Sequence, residues 1–267
     1  MSKINSAIYE IHCMDDMANK DQWLNRIHPL VKLILTLTYI ATVVSFYKYD
    51  LTGIIGMAIY PIFLFVVGDI SFKDSLRRLR IVLPVVCFVG VFNPIFDREI
   101  LFSIGEIGIS GGFISMSTLM LKGILTVLAS YLLIATTTIE KICYAMGLLH
   151  IPKMFVTQIL FIYRYITVLL TEANRISQAY SLRAPNQKGV HFKVWGSLVG
   201  QLLLRSMDRA EDIYESMSIR GYKGESHLPS GIQSKDNNYA YLFIWLIVFG
   251  VLKFFPVMEI VGGLFVK

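Results

Sequence analysis

The fold class this sequence predicts is an all-α, polytopic membrane protein, on three observations. Of 267 residues, 55% are hydrophobic and 16% charged, against about 25% charged in soluble domains. Mean hydropathy is +0.58. Several apolar runs approach the roughly 20 residues that a membrane-spanning helix needs. About five transmembrane helices are expected, with a region of amphipathic helices on the cytoplasmic side.

The expected spans, in order, are Leu30 to Phe46, Leu51 to Gly68, Ile81 to Phe96, Gly112 to Thr136, and Tyr239 to about Gly262. The third is interrupted by Pro84 and by Asn93-Pro94, because proline lacks the amide donor a helix needs. Three regions follow: 1–136 with four spans, 137–238 with cytoplasmic helices, and 239–267 with the last span. The residues ahead of Leu30 carry Asp15, Asp16, Lys20 and Asp21, which is unlike a cleaved basic leader.

Lysine and arginine placement orients the spans. Asp69 to Arg80 holds Lys73, Arg77, Arg78 and Arg80 and is expected to be cytoplasmic. The N-terminus is then inside and Tyr47 to Asp50 is an external turn. Asp97 to Gly111, with Arg98 alone against Asp97, Glu99 and Glu106, reads as an external hairpin rich in glycine. Thr137 to Asn238 falls inside with a dozen basic residues. Met154 to Leu170 is nearly apolar enough to cross, but an arginine at its centre, Arg164, costs about 2.5 to 3.5 kcal/mol on insertion scales. Crossing there would also carry Arg175, Arg183, Lys188, Lys193, Arg205, Arg209 and Arg220 outside. An interfacial helix lying along the membrane is the expectation.

Within the cytoplasmic region, Thr138 to Leu149 reads as a short amphipathic helix, ended by His150-Ile151-Pro152. A long helix is expected from about Lys153 to Leu182, broken by Pro185, Asn186 and Gly189. Another is expected from about Phe192 to Ile219, with Gly221 and Gly224 at its exit. Both long helices end alike, in Ser181-Leu182-Arg183-Ala184 and Ser218-Ile219-Arg220-Gly221. Aligning Arg183 on Arg220 also brings Ala173 onto Ala210 and Ile176 onto Ile213. Capping of the helix dipole explains one such arginine. Two in matching settings suggest docking onto two similar or identical partners through guanidinium groups that fork onto carboxylates or carbonyls.

Other function classes fit less well. Cys13, Cys87 and Cys143 are far apart, and His12-Cys13 lacks further ligands at metal-site spacing. No phosphate loop of the Gly-x-x-x-x-Gly-Lys-Ser/Thr type is present, so any ATP hydrolysis belongs to a partner. A polytopic membrane enzyme would need clustered acids or histidines, and neither HExxH nor Gly-x-Ser-x-Gly occurs. An ion-coupled secondary transporter would need ionisable groups near the midplane. Lys122 is the one candidate, and a structural pairing is expected for it. The +6 net charge lies beside apolar spans, which points to the bilayer surface and not to nucleic acid. Neither a cofactor nor a catalytic residue is expected.

The chain resembles the transmembrane T component of energy-coupling factor (ECF) transporters, most closely the CbiQ-type subunit of cobalt transporters, over nearly its whole length. His28-Pro29 with Lys32-Leu33 resembles the family's N-terminal pattern. Thr136-Thr137, Glu140, Leu149, Ile151-Pro152 and Arg164-Tyr165-Ile166 resemble its central stretch. The two arginine tips are similar to its paired Ala-Arg-Gly-like signatures, departing at Leu182 and Ala184, with Pro185 next, in the first and at Ile219 in the second. The resemblance implies a non-catalytic coupling subunit of an ATP-driven importer in the cell membrane. Its helix tips (Ser181, Arg183, Ala184; Ser218, Arg220, Gly221) would insert into two cytoplasmic ABC-type ATPases. They would hold a membrane substrate-binding (S) component, expected to be cobalt-specific. A nickel or vitamin importer of the same kind remains an alternative cargo.

Overall fold

The computed structural model describes residues 3–20, 22–70, 72–96, 100–104, 107–185, 189–222 and 238–255. Twelve helices and one hairpin are present among them: α1 (Lys3–Ala18), α2 (Trp23–Arg26), α3 (Pro29–Val44), α4 (Leu51–Met57), α5 (Ile59–Gly68), α6 (Phe72–Gly90), α7 (Asn93–Phe96), β1 (Ile100–Ile104), β2 (Ile107–Ser110), α8 (Gly111–Thr136), α9 (Ile139–Leu148), α10 (Lys153–Arg183), α11 (Phe192–Ile219) and α12 (Tyr239–Phe254). Apart from the small antiparallel pair β1–β2, in the segment expected to be a hairpin, the protein is all-α. Leu51–Gly68, Gly111–Thr136 and Lys153–Arg183 are long and apolar enough to cross a membrane, and Pro29–Val44 and Tyr239–Phe254 are shorter apolar helices.

The chain divides into two compact units. One holds residues 18–137 and 234–267. Its core joins α3, α4, α5, α8 and α12 through Leu35, Tyr39, Ile54, Met57, Tyr60, Leu132 and Phe249, all buried. An aromatic cluster lies within it: the Tyr39 and Tyr60 rings are 4.8 Å apart, as are those of Tyr60 and Trp245, and Phe249 lies 5.4 Å from Tyr39. Such ring pairs add to the area they bury.

Local chemistry explains the breaks. The expected second span is divided at Ala58, between α4 and α5. Pro61 has no amide to offer the carbonyl four residues back. That carbonyl, of Met57, accepts instead from the Tyr39 hydroxyl at 3.0 Å. At the start of α4, Asp50 Oδ1 accepts from the Gly53 amide at 2.9 Å. A Cβ on Gly53 would stand 2.6 Å from the Phe46 ring, so only glycine lets the turn close that tightly.

Two expectations differ from the structure here. The helix of the third span starts at Phe72, so Lys73, Arg77, Arg78 and Arg80 belong to a helix and not a loop. It also runs through Pro84 without a break. The interruption comes only at Val91–Phe92, before Asn93 starts α7. The stretch beyond Phe255, expected to carry the last span to about Gly262, lies outside the described residues.

The second unit holds residues 1–17 and 138–233. Thr138 caps α9, its hydroxyl accepting from the Lys141 amide at 3.4 Å. The helix closes by a different device from the one expected of Pro152. His150 adopts the left-handed conformation (φ +61°). The His150 and Ile151 amides then reach back to Gly147 and Met146 at 3.2 and 3.3 Å, which is a Schellman closure. His191 caps α11, with Nδ1 accepting from Lys193 N at 3.3 Å.

Candidate coupling interface

The long helices α10 and α11 bury almost nothing. Only Val156 and Thr157 are buried on α10, and no residue is buried on α11. Both are amphipathic by pattern, so faces that would ordinarily form a core stand open. Trp195, Val199, Leu203, Met207 and Tyr214 on α11 are all more than half exposed. The two helices are tied where Glu172 accepts from Arg205 and also pairs with Arg175 at 3.6 Å. Beside that tie, Ala173 and Ile176 of α10, Trp195, Leu198 and Val199 of α11, and Ile4 line an apolar groove of about 210 Å³.

Beyond that tie each helix continues to its signature. Arg183 lies about 16 Å beyond Glu172 and Arg220 about 22 Å beyond Arg205, at 1.5 Å per residue along each axis. Every residue of the two signatures is exposed except Ala184, which is half-buried. The apolar residue ahead of each arginine is among the barest in the protein: Leu182 is 82% and Ile219 87% exposed. Each tip therefore offers an arginine, a residue type enriched at the energetic centres of protein interfaces, beside an unpacked apolar side chain.

The two tips are alike in sequence but not in backbone. Arg183 is the last helical residue of α10. Ala184 follows outside the helical region (φ −129°, ψ 63°), its amide bonded to Tyr180 O. Ser181 Oγ donates to Gln178 O at 2.8 Å within the same last turn. On α11 the helix ends at Ile219, and Arg220 is the cap itself. Gly221 turns left-handed (φ +86°). Its amide and that of Tyr222 return to Ser218 O and Met217 O, both at 2.9 Å. This is the Schellman closure that α9 makes with His150. Sequence alignment of Ala184 on Gly221 hid the difference, because proline after Ala184 and glycine at 221 impose different exits.

A Cβ at Gly221 would meet nothing within 4 Å, so any cost of replacing it is backbone strain, about 1 to 2 kcal/mol for a non-glycine residue in this region. Gly221→Ala is expected to speed amide exchange at Tyr222 roughly tenfold, and Gly221→Asn much less. Hydrogen-exchange mass spectrometry over 217–222 reads this directly. Equal exchange in the parent and in Gly221→Ala would remove the claim.

The first helix lies along α10. Tyr163 donates to Asp15 Oδ1 at 2.6 Å and Asn174 to Asn5 Oδ1 at 2.9 Å, so α1 and α10 run antiparallel. Burial, then the bond to Asp15, pushes the Tyr163 hydroxyl well above the ordinary tyrosine range and keeps it a donor. Cys143, fully buried on α9, is likewise shifted up by burial. Sequence reading had not placed α1 with these helices; the bonds join residues about 150 positions apart and leave no local pattern.

Among the described residues, no group of three or more His, Cys, Asp or Glu side chains is gathered to hold a metal ion. Lys122 has the structural pairing expected of it: its ammonium donates to Val44 O at 3.1 Å and Phe46 O at 2.5 Å.

Comparison with known proteins agrees with this architecture. An uncharacterized protein of Methanocaldococcus jannaschii is 27% identical over 245 residues, covering 87% of this chain and 82% of its own. The energy-coupling factor transporter transmembrane protein EcfT of Listeria innocua is 25% identical, covering 76% and 82%. A putative fused cobalt transport protein, CbiMQ, of Methanocorpusculum labreanum is 26% identical over 92% of this chain, which spans 42% of that longer protein. The family profile described as CbiQ, cobalt transport protein, matches residues 20–230, from just after α1 to just past the second arginine tip. The chain belongs to the CbiQ family of cobalt transport proteins.

Proposed function

We propose that this chain is the transmembrane T subunit of an ATP-driven ECF-type importer of cobalt ions, with α10 and α11 as its coupling helices. In this reading Arg183 and Arg220 dock into two ABC-type ATPases on the cytoplasmic side. The exposed faces behind the tips hold the substrate-binding membrane subunit against them. The chain itself does no chemistry. The observation that carries the reading is the pair of exposed Arg-tipped helices whose apolar faces are left without a core. The relatives named EcfT support the T-subunit role, and the relative named CbiMQ supports cobalt as cargo.

The docking sense requires the N-terminus, α10 and α11 to be cytoplasmic. Single cysteines at Tyr47, Gln201 and Asp208, all exposed, test it in a background freed of Cys13 and Cys87; buried Cys143 stays unreactive. Tyr47→Cys should label with an impermeant thiol reagent in intact cells. Gln201→Cys and Asp208→Cys should label only after permeabilisation. Labelling of the latter two in intact cells would mean that α10 crosses the membrane. Co-expression with candidate ATPases and the S component, followed by purification on this chain and uptake of labelled cobalt, tests the role. Purification of the chain free of any ATPase, with uptake independent of ATP, would overturn it.

A further inference from the structure

α3 and α8 run antiparallel in the membrane unit, and each carries a lysine that closes the other's C-terminal end. Lys122 of α8 reaches Val44 O and Phe46 O at the end of α3. Lys32, in the first turn of α3 and only 6% exposed, donates from Nζ to Thr136 O at 2.8 Å. Thr136 is the last residue of α8. A helix end has carbonyls without intrahelical donors and carries a partial negative charge. A buried ammonium placed there meets both needs, and each loses its compensation if the other is removed.

Both are ammonium-to-carbonyl bonds at a helix end, but Lys122 is only half-buried, and the two differ in their position in the chain. The end of α3 leads through Ser45–Asp50 into α4, within the same unit. The end of α8 leads through Thr137 directly to Thr138, the cap of α9 and the start of the other unit. Around it Thr136 and Thr137 are buried, and Thr136 Oγ1 donates to Leu132 O at 2.8 Å. The covalent link between the units thus leaves a helix end that Lys32 fastens to α3.

We propose that Lys32 is a positioning residue for coupling. By holding the last turn of α8 it makes displacement of α9–α11 move the membrane helices, where an unfastened end would fray and absorb the motion. This rests on the T-subunit reading. The test uses the complete importer in proteoliposomes, measuring ATP hydrolysed per ion imported. Lys32→Met should assemble and hydrolyse ATP while that ratio rises about tenfold, within the span of ordinary coupling energies. Lys122→Met, which removes the matching bond at the other end, should lower the melting temperature and leave the ratio at the parental value. A glycine inserted between Thr137 and Thr138 slackens the same link with Lys32 intact and should raise the ratio as Lys32→Met does. A parental ratio in Lys32→Met, or in the insertion variant if Lys32→Met does not accumulate, would overturn the proposal. An equal rise in Lys122→Met would overturn it too. Failure of the parental chain to assemble with ATPases is a separate outcome and counts against the T-subunit reading.

Discussion

Replacing both Arg183 and Arg220 by alanine should abolish assembly with the ATPases and reduce ATP-dependent uptake to background, while the chain still reaches the membrane at parental levels. Both side chains are exposed at helix ends, so the fold loses little. In the complex each guanidinium would sit against an acidic groove. Truncation strands the partner carboxylate, at a cost of about 2 to 5 kcal/mol per site when that groove is desolvated. Two sites share the load, so either single variant should retain part of both assembly and transport. Lysine should restore little, because it keeps the charge and loses the planar fork. The unlike backbones of the tips add a distinction: Gly221→Val should weaken assembly more than Ala184→Val, since only residue 221 is left-handed. Quantitative co-purification with parallel uptake measures all of these. A double-alanine variant that assembles and transports like the parent would make these arginines ordinary helix caps.

Tyr39→Ala is expected to have the largest effect on the membrane unit, lowering stability by about 3 to 5 kcal/mol as a large core truncation does. Tyr39 is fully buried among Tyr60, Phe249 and Met57. Its hydroxyl also satisfies the Met57 carbonyl that Pro61 cannot bond. Tyr39→Phe separates the two roles. It keeps the ring and leaves a buried carbonyl unpaired, with an expected loss of about 1 to 3 kcal/mol. Thermal unfolding in detergent should therefore rank parent, Phe and Ala in falling order. A Phe variant as stable as the parent would show that the Met57 carbonyl finds another donor.

Helices α9, α10 and α11 were legible to within a residue because their ends are written locally. Thr138, His191, Gly221 and Pro185 each set a cap or a break through their own backbone chemistry, and the stripes between them have helical spacing. Leu51–Gly68 and Gly111–Thr136, both long and apolar enough to cross a membrane, were legible as apolar runs. What was not legible depended on local backbone choices or on partners distant in sequence. Pro84 was expected to interrupt α6 and does not. Ala58 breaks an unbroken apolar run because Pro61 and Tyr39 together re-route one carbonyl. His150 takes a left-handed turn that the proline after Ile151 obscured. The paired arginines were found by their repetition, but the difference in their exits came only from φ at 184 and 221. Lys32 belongs to the His28-Pro29 and Lys32-Leu33 pattern, but its bond to Thr136, 104 residues away, has no signature in the residues around it.

The length of α3 has a consequence for the surrounding lipid. Its 16 residues extend about 24 Å, short of the roughly 30 Å hydrocarbon layer, and Leu37 and Val44 leave one flank of it bare. Lys253 reaches Ser45 at 2.9 Å and Lys122 reaches Val44 and Phe46, so charged groups gather where a longer helix would still be apolar. With α3 set across a bilayer, acyl chains beside it would have to shorten or disorder to meet that end, at fractions of a kcal/mol per ångström. On that placement the protein would carry its own thin spot in the bilayer, and membrane thickness would be one of the variables to which it is tuned.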